Sequence, residues 1–293
     1  MIDQYENLCT RVANTGVWIA NERTGNDCLT VINADLEYDV SDNFVPVVTT
    51  RKAPWKLAIA EFLGYIRGYQ SAEQFRSITY TGSDGQTYGC NTWNANANSK
   101  VWQSNSFCKG EDDLGRCYGV QGRGWSNPEG EKIDQLQKIF DDLARGYDNR
   151  GEILSFWNPG EFDRACLRPC MHTHTFSILE DQLFLTSYQR SDDLPLGHVA
   201  NQIQCAFFLM ITAQIVGLKA NKCFHKVVNA HFYRNQHDLM VNTQLKRTPK
   251  APPKLIINPD IKSLKDLETW VTPDDFELEG YDPDPGIKYP FSV

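Results

Sequence analysis

Hydrophobic and polar residues follow periods along the chain that distinguish strands from helices. Alternating or short continuous apolar runs predict strands over 29–38, 46–50, 153–157, 173–188 and 223–233. Apolar residues at helical spacing predict helices over 1–20, 55–67 and 130–145. Because these elements mix without internal repeats, we expect one α+β domain over residues 1–293.

The longest apolar segment, 203–216, predicts a buried helix that ends at Gly217. It is too short to span a bilayer, and Gln204 and Gln214 interrupt it, so we expect no membrane segment. Residues 77–116 are rich in Gly, Asn and Ser, and we interpret them as a loop-dominated insertion or lid.

Composition restricts the classes of partner. The chain has 293 residues, 41% of them hydrophobic, and a net charge of −8. Such a chain can bury a substantial core, and its acidic balance argues against a nucleic-acid partner, since no basic stripe can neutralise phosphates. The N-terminal residues lack the basic-then-apolar pattern of a signal peptide, so we expect a cytoplasmic protein.

The cysteines and histidines predict no metal centre. The nine cysteines have no C-x-x-C spacing, which favours free thiols over a disulfide framework. His172 and His174 would share one face of a strand, but no carboxylate or thiol stands at zinc-like spacing from them.

Residues 166–204 concentrate the polar chemistry of the chain: a thiol, guanidinium, hydroxyl, carboxylates and an amide at predicted strand ends and turns. The sequence around Cys170, QRSDD from 189, LGHVAN ending at Asn201 and AHFYRNQH from 230 closely resemble the thymidylate synthase family. RTG at 23–25, VPVVTTRK at 45–52, AEFL at 60–63 and EGYDPDPGIKYP at 279–290 extend the resemblance over nearly the whole chain.

The resemblance implies a large twisted mixed sheet packed against helices, a homodimer, and dUMP and 5,10-methylenetetrahydrofolate as substrates. It assigns catalytic roles to Cys170, Glu61, Asn201 and Tyr118. Cys170 would add to carbon 6 of the pyrimidine, and Glu61, on an apolar helix face, would act as general acid and base. Asn201 would distinguish uracil from cytosine, because relatives acting on dCMP carry aspartate there.

The resemblance also implies a set of binding residues. Arginines suit a nucleotide phosphate because they donate two hydrogen bonds at once. Residues matched to dUMP binding are Arg23, Arg150, Arg190, Ser191, Asp193, Asn201, His231 and Tyr233. Residues matched to the folate pocket and to the C-terminal closing loop, 279–293, are Trp93, Asp193 and Val293. Arg150 would cross the dimer interface, where the family's second arginine is replaced by Gly151.

Four departures from the family pattern bear on the reaction: Met171, Asn96, Gly122 and Asn229. The family's synthases line the site with more aromatic side chains, an aromatic wall that keeps water from the methylene intermediate. Because a thinner wall could admit water, whose attack gives a hydroxymethyl group, we interpret the chain as a phage-type dUMP 5-hydroxymethylase acting in the host cytoplasm. The alternative is thymidylate synthase, which transfers hydride and releases dihydrofolate. A third alternative is an inactive family member that serves as a binding module, against which the intact Cys170, Glu61, Asn201 and Arg190 argue.

Overall fold

The computed structural model describes residues 2–22 and 24–291. Its principal helices are α1 Gln4–Thr15, α2 Trp55–Ile66, α3 Ala72–Arg76, α4 Asn94–Ala97, α5 Lys100–Gln103, α6 Gly119–Arg123, α7 Gln135–Ala144, α8 Val199–Val216, α9 Arg234–Asn242 and α10 Leu264–Thr269. Its strands are β1 Val17–Ile19, β2 Cys28–Asp39, β3 Thr79–Thr81, β4 Thr87–Gly89, β5 Trp125–Ser126, β6 Lys132–Ile133, β7 Ile153–Ser155, β8 Met171–Leu179, β9 Gln182–Gln189, β10 Asp192–Asp193, β11 Lys219–Tyr233, β12 Lys254–Ile257 and β13 Phe276–Glu279.

A seven-stranded mixed sheet forms the centre of the molecule, in the order β1-β2-β11-β9-β8-β7 with β10 attached to β11. The long strand β11 pairs antiparallel with β2 and parallel with β9. Helices pack on this sheet to form one α+β domain, as the sequence predicts. The end of β9, the short strand β10, the end of β11 and the start of β8 lie in the same region of the sheet, and the candidate site is built there.

Helix α8 forms much of the core. It is apolar on nearly all sides, and Phe207, Phe208 and Leu209 are completely buried. Together with the π-helical turn Leu194–His198, it makes a segment long and apolar enough to cross a membrane, but 72% of that segment is buried inside the fold. This burial identifies it as a core helix. Gly217 ends it in the left-handed conformation, with φ of 75°, as predicted.

Several element predictions need correction. Residues 173–188 form a hairpin, β8 and β9, whose turn places Glu180 at a positive φ of 58°. Residues 46–50 form no strand, and α8 begins before the predicted residue 203. The 77–116 region contains β3, β4, α4 and α5 and buries Trp93 and Trp102, so it has more regular structure than predicted. Its role as an insertion or lid stays a prediction.

One face of the central sheet is not covered by any element of the described chain. Along β2, buried residues alternate with exposed ones from Ala34 to Asp39, and along β9 buried residues alternate with partly exposed ones up to the exposed Tyr188. The exposed side chains include Ile32, Tyr188 and Val228, at 61%, 42% and 55% exposure. Apolar side chains left in this way on a sheet face are typical of a surface that another subunit covers.

Candidate active site

Cys170 lies just before β8, half-buried, with its backbone fixed from two sides. Its N–H donates to the Tyr118 hydroxyl at 2.8 Å, and its carbonyl accepts from the Arg190 N–H at 2.9 Å. The Arg190 guanidinium nitrogen Nη2 lies 3.9 Å from the Cys170 sulfur. A cation at this distance favours the thiolate, the form of cysteine that acts as a nucleophile.

Arg190 is held in place by backbone carbonyls. Nε donates to Pro169 at 2.9 Å and Nη2 donates to Arg168 at 2.9 Å, while the guanidinium lies over the Trp157 ring. Arg168, two residues before Cys170, could also favour the thiolate through its charge, but its guanidinium lies over the Phe162 ring instead. Of the two arginines, Arg190 is therefore the one whose cation contacts the thiol.

Tyr118 connects the thiol to an aromatic cluster. Its ring stacks on Tyr65 at 4.7 Å and nearly parallel, and Trp93 meets it edge-on at 5.5 Å. The backbone of Tyr118 adopts a φ of 43°, which is strained for a residue with a side chain. Such strain persists only where surrounding contacts enforce it, and here the ring stack and the hydrogen bond to Cys170 do so.

Glu61 is a buried carboxyl on α2, with 7% exposure. Burial raises its pKa to about 7, although the hydrogen bonds from Gln204 and Tyr65 favour the anion. The amide nitrogen of Gln204 donates to it at 2.7 Å. A carboxyl with a pKa near neutrality can both give and accept a proton, which suits the predicted general acid and base.

A chain of amides joins Glu61 to the predicted base-reading residue. Asn201 donates from Nδ2 to Gln204 Oε1 at 2.9 Å, and Asn201 Oδ1 accepts from Gln189 Nε2 at 3.0 Å. Gln189 also donates to the carboxylate of Asp192 at 2.9 Å. Sequence analysis assigned no role to Gln189, Gln204 or Asp192; the available signals were the QRSDD run, which contains Gln189 and Asp192, and the glutamines within the largely apolar α8.

His231 and Tyr233 lie near the end of β11, and their rings meet at 5.4 Å, as strand alternation predicts. Asn229 Oδ1 lies 2.8 Å from His231 Nδ1. An asparagine oxygen accepts a hydrogen bond from that nitrogen as an aspartate would, so Asn229 can hold the orientation of the His231 ring. Asn229 is therefore a conservative replacement.

Asp193 faces the C-terminal segment. In the parallel pairing of β10 with β11, Asp193 lies opposite His231. The Gln236 amide nitrogen donates to an Asp193 carboxyl oxygen at 3.4 Å and to the Pro290 carbonyl at 3.1 Å. Desolvation raises the pKa of Asp193 to about 7, and the neighbouring Asp192 charge acts in the same direction. Ser191, half-buried, accepts from Gln189 through its carbonyl at 3.0 Å.

The predicted site residues also include Arg23, Arg150 and Val293. Arg23 and Val293 lie outside the described residues. Arg150 is exposed in the loop between α7 and β7, with a φ of 68°. Within the described part of the chain, no hydrogen bond or ion pair joins the Arg150 side chain to the other site residues. Its action across a dimer interface stays a prediction.

Two of the departures that suggested water capture lie in the core. Met171 is buried, with its sulfur 3.4 Å from that of Cys205. Gly122 is also buried, and a side chain there would meet Phe156 at 3.0 Å and Leu154 at 3.1 Å. Phe156 thus fills the space beside Gly122. A glycine at this position is therefore not a gap in the aromatic wall.

Among residues 2–22 and 24–291, no group of three His, Cys, Asp or Glu side chains is arranged to hold a metal ion. His174, one of the pair considered above, is buried and bonds to Ser187 at 2.8 Å. Burial lowers the pKa of His174 to about 3.

Comparison with known proteins decides the family. The sequence model described as thymidylate synthase matches residues 3–293. The chain belongs to the thymidylate synthase family. Proteins named thymidylate synthase from Haemophilus influenzae (strain 86-028NP) and Shewanella halifaxensis (strain HAW-EB4) are each 60% identical to it over 291 residues, covering 99% of both chains. One from Pseudoalteromonas translucida (strain TAC 125) is 59% identical with the same coverage.

These relatives correct the interpretation of the reaction. They are bacterial proteins named as synthases, and they give no support to a phage-type hydroxymethylase. Members of this family act on dUMP with methylenetetrahydrofolate as co-substrate, and this chain shares that co-substrate. The alternative that the sequence left open, reductive methylation, fits the relatives better.

Proposed function

We propose that this protein is a thymidylate synthase, which methylates dUMP to dTMP and releases dihydrofolate. The observation that supports this most directly is a thiol 3.9 Å from a fixed guanidinium, in a fold that also holds a carboxyl whose burial raises its pKa to about 7, with Tyr118 close to both groups. The high identity to named synthases over the whole chain supports methylation rather than hydroxymethylation.

The proposed reaction begins with Cys170. Its thiolate adds to carbon 6 of the uracil, and the electron pair of the 5,6 double bond makes carbon 5 nucleophilic. Carbon 5 attacks the methylene carbon of methylenetetrahydrofolate, and loss of the carbon-5 proton then expels the folate nitrogen and leaves an exocyclic methylene on the ring. A hydride from the resulting tetrahydrofolate adds to this methylene as the bond from Cys170 to carbon 6 breaks, which gives dTMP, dihydrofolate and the free thiolate.

Glu61 and Asn201 would support the charge that moves onto the ring. Asn201 can accept from the ring N–H and donate to the adjacent carbonyl oxygen, the pattern that uracil presents and cytosine reverses. Glu61, with a pKa near neutrality, can exchange protons around that carbonyl and carbon 5. Arg190 would serve both the thiol and the phosphate, since a guanidinium has five donors.

We further propose that the protein acts as a homodimer through the uncovered sheet face. Ile32, Tyr188 and Val228 expose apolar surface there. Arg150 lies on the loop that enters the edge strand β7. Closure by a second copy would bury this face and could bring Arg150 to the partner's phosphate site.

Turnover in oxygen-18 water distinguishes the candidate reactions. With dUMP and methylenetetrahydrofolate, we expect an unlabelled nucleotide product heavier by one methyl group and an absorbance rise from stoichiometric dihydrofolate. An oxygen-18-labelled hydroxymethyl product without dihydrofolate would establish hydroxymethylation instead. Tritium release from carbon 5 of dUMP identifies covalent catalysis in either case. Cys170→Ala should abolish it, and a protein that releases none would be a binding module.

A further inference from the structure

Two arginines beside the candidate site lie on neighbouring aromatic rings. The Arg190 guanidinium carbon lies 5.6 Å from the centroid of the Trp157 ring. The Arg168 guanidinium carbon lies 4.9 Å from the centroid of the Phe162 ring. The two rings meet edge-to-face, with their centroids 4.6 Å apart. The two cations and the two rings therefore form one continuous group.

The backbone of Arg168 lies directly against the Arg190 guanidinium. Nη2 of Arg190 donates to the Arg168 carbonyl at 2.9 Å, and Nε donates to the neighbouring Pro169 carbonyl at 2.9 Å. The Arg168 side chain is exposed and starts beside these hydrogen bonds. Its guanidinium can therefore reach the surroundings of the Arg190 guanidinium by rotation about its own side-chain bonds, without a movement of the backbone.

Neither cation is paired with a carboxylate in the described part of the chain. Other partly buried arginines of this protein have such a partner, as Arg116 has in Glu161. Arg168 and Arg190 instead contact only aromatic rings, backbone carbonyls and a thiol. Because like charges repel each other, an anion that binds beside both guanidinium groups gains from both and removes their repulsion.

Arg190 has few donors left for such an anion. Nε and Nη2 each donate to a carbonyl, and Nη2 also lies 3.9 Å from the Cys170 sulfur. Of the five N–H groups of a guanidinium, this leaves the two on Nη1. Arg190 alone therefore cannot offer a phosphate the parallel donors from two nitrogens that make arginine–phosphate contacts strong.

Arg168 has the donors that Arg190 lacks. A guanidinium that stacks on a ring contacts it through its flat face, so its N–H groups point outward in the plane and stay available. Among the described residues, none accepts a hydrogen bond from the Arg168 side chain. Stacking on Phe162 also restricts this long side chain before a ligand arrives, which lowers the entropy that binding costs.

We propose that Arg168 is a further phosphate-binding residue, which holds the monophosphate of dUMP together with Arg190. This rests on the proposed function, because that function supplies dUMP as the substrate. The carboxylates of folate are a second kind of anion that an arginine binds. The phosphate is favoured because it carries close to two charges and three acceptor oxygens, which suit two guanidinium groups at once.

The test measures the Kd of dUMP by calorimetry in Arg168→Gln, which removes the charge and keeps most of the stem. We expect this Kd to rise about tenfold, with kcat unchanged. The Ki of inorganic phosphate as a competitor of dUMP should rise in parallel. The Ki of deoxyuridine, which lacks the phosphate, should stay the same. Arg168→Lys keeps the charge without the parallel donors and should show a smaller rise.

Arg164→Gln is the matched control. Arg164 is also exposed, and its guanidinium lies over the Phe107 ring at 4.7 Å, so its loss removes a similar stacked cation from the same segment. We expect this variant to bind dUMP as the wild type does. Alkylation of Cys170 by iodoacetamide, followed by mass analysis of its peptide, reports whether Arg190 still lies at the thiol. Its rate in Arg168→Gln should equal that of the wild type.

An unchanged Kd of dUMP in Arg168→Gln would overturn the proposal, and so would an equal rise in Arg164→Gln, which a general effect of charge produces. Slower alkylation of Cys170, or a Ki of deoxyuridine that rises as much as the Kd of dUMP, would overturn it by showing that the substitution displaces Arg190. A higher KM for methylenetetrahydrofolate with unchanged dUMP binding would assign Arg168 to folate instead.

The wild-type protein separates this inference from the proposed function. If it neither binds dUMP nor turns it over, both are overturned together. If it turns dUMP over normally and Arg168→Gln binds dUMP equally well, the inference alone is overturned.

Discussion

At the scale of single residues, the Glu61 carboxyl links stability to pH. Burial raises its pKa from 4.5 to about 7, so the native protein binds this proton more tightly than the unfolded chain does. The resulting stabilisation is complete below the unfolded value and is lost as the pH rises through 7. A shift of this size corresponds to about 3 kcal/mol.

Glu61→Gln should therefore stabilise the protein while it inactivates it. The neutral amide avoids the buried charge, so we expect the free energy of unfolding to exceed that of the wild type by up to about 3 kcal/mol at pH 8 and by much less at pH 5. Turnover should fall by about 10²–10⁴-fold. Urea denaturation at the two pH values measures the first effect, with the exposed Glu129→Gln as control. Equal effects at both would show that the pKa is not raised.

Single residues also mark where prediction from the sequence ends. Family resemblance pointed to Cys170, Glu61 and Asn201, whose roles stay predictions. It did not find Gln204, which bonds to a carboxyl 143 positions away. The sequence also does not show which side chains lie next to each other in space. Gly122 was interpreted as a gap in the aromatic wall, but Phe156, 34 positions later in the chain, lies directly beside it.

At the scale of elements, the C-terminal segment is docked on the body of the protein. The Tyr289 hydroxyl donates to Gln244 at 2.7 Å in a buried contact, and the Asp284 N–H donates to the Thr49 carbonyl at 2.8 Å. Gln236 bonds both to this segment and toward Asp193. The role of this segment as a closing loop over the folate pocket stays a prediction.

Tyr289→Phe should weaken this docking, because it leaves the buried Gln244 oxygen without its donor, at a cost of about 1–3 kcal/mol. We expect the KM for methylenetetrahydrofolate to rise several-fold while the Kd of dUMP alone stays unchanged. Asp282→Ala removes only an exposed ion pair with Lys250 in the same segment and should have little effect. A change in dUMP binding without a change in the folate KM would show that the segment does not close over folate.

At the scale of the whole molecule, the proposed dimer can be tested by mixing inactive subunits. If Arg150 serves the partner's site, a heterodimer of Arg150→Ala and Cys170→Ala contains one site with both groups intact. Denaturing and refolding an equal mixture should therefore restore about a quarter of wild-type activity, since half of the dimers are mixed and each has one working site.

The matched control mixes Cys170→Ala with Glu61→Gln. Both residues are expected to act in their own subunit's site, so every mixed site lacks one of them and no activity should return. If the Arg150→Ala mixture also stays inactive, Arg150 acts within its own chain or not at all. Light scattering of the wild-type protein gives the mass of the assembly independently.

The position of β11 has a consequence for how the protein is made. Its last residue, Tyr233, pairs with Cys28, about two hundred residues earlier in the chain. During synthesis, β2 has no long partner until β11 leaves the ribosome, and the apolar α8 emerges before the strand on which it packs. The nascent chain must therefore keep the edge of β2 shielded for most of its translation, and the apolar α8 shielded for the shorter interval before β11 follows it. Chaperone supply, rather than intrinsic folding speed, is then expected to limit the yield of this protein in a cell.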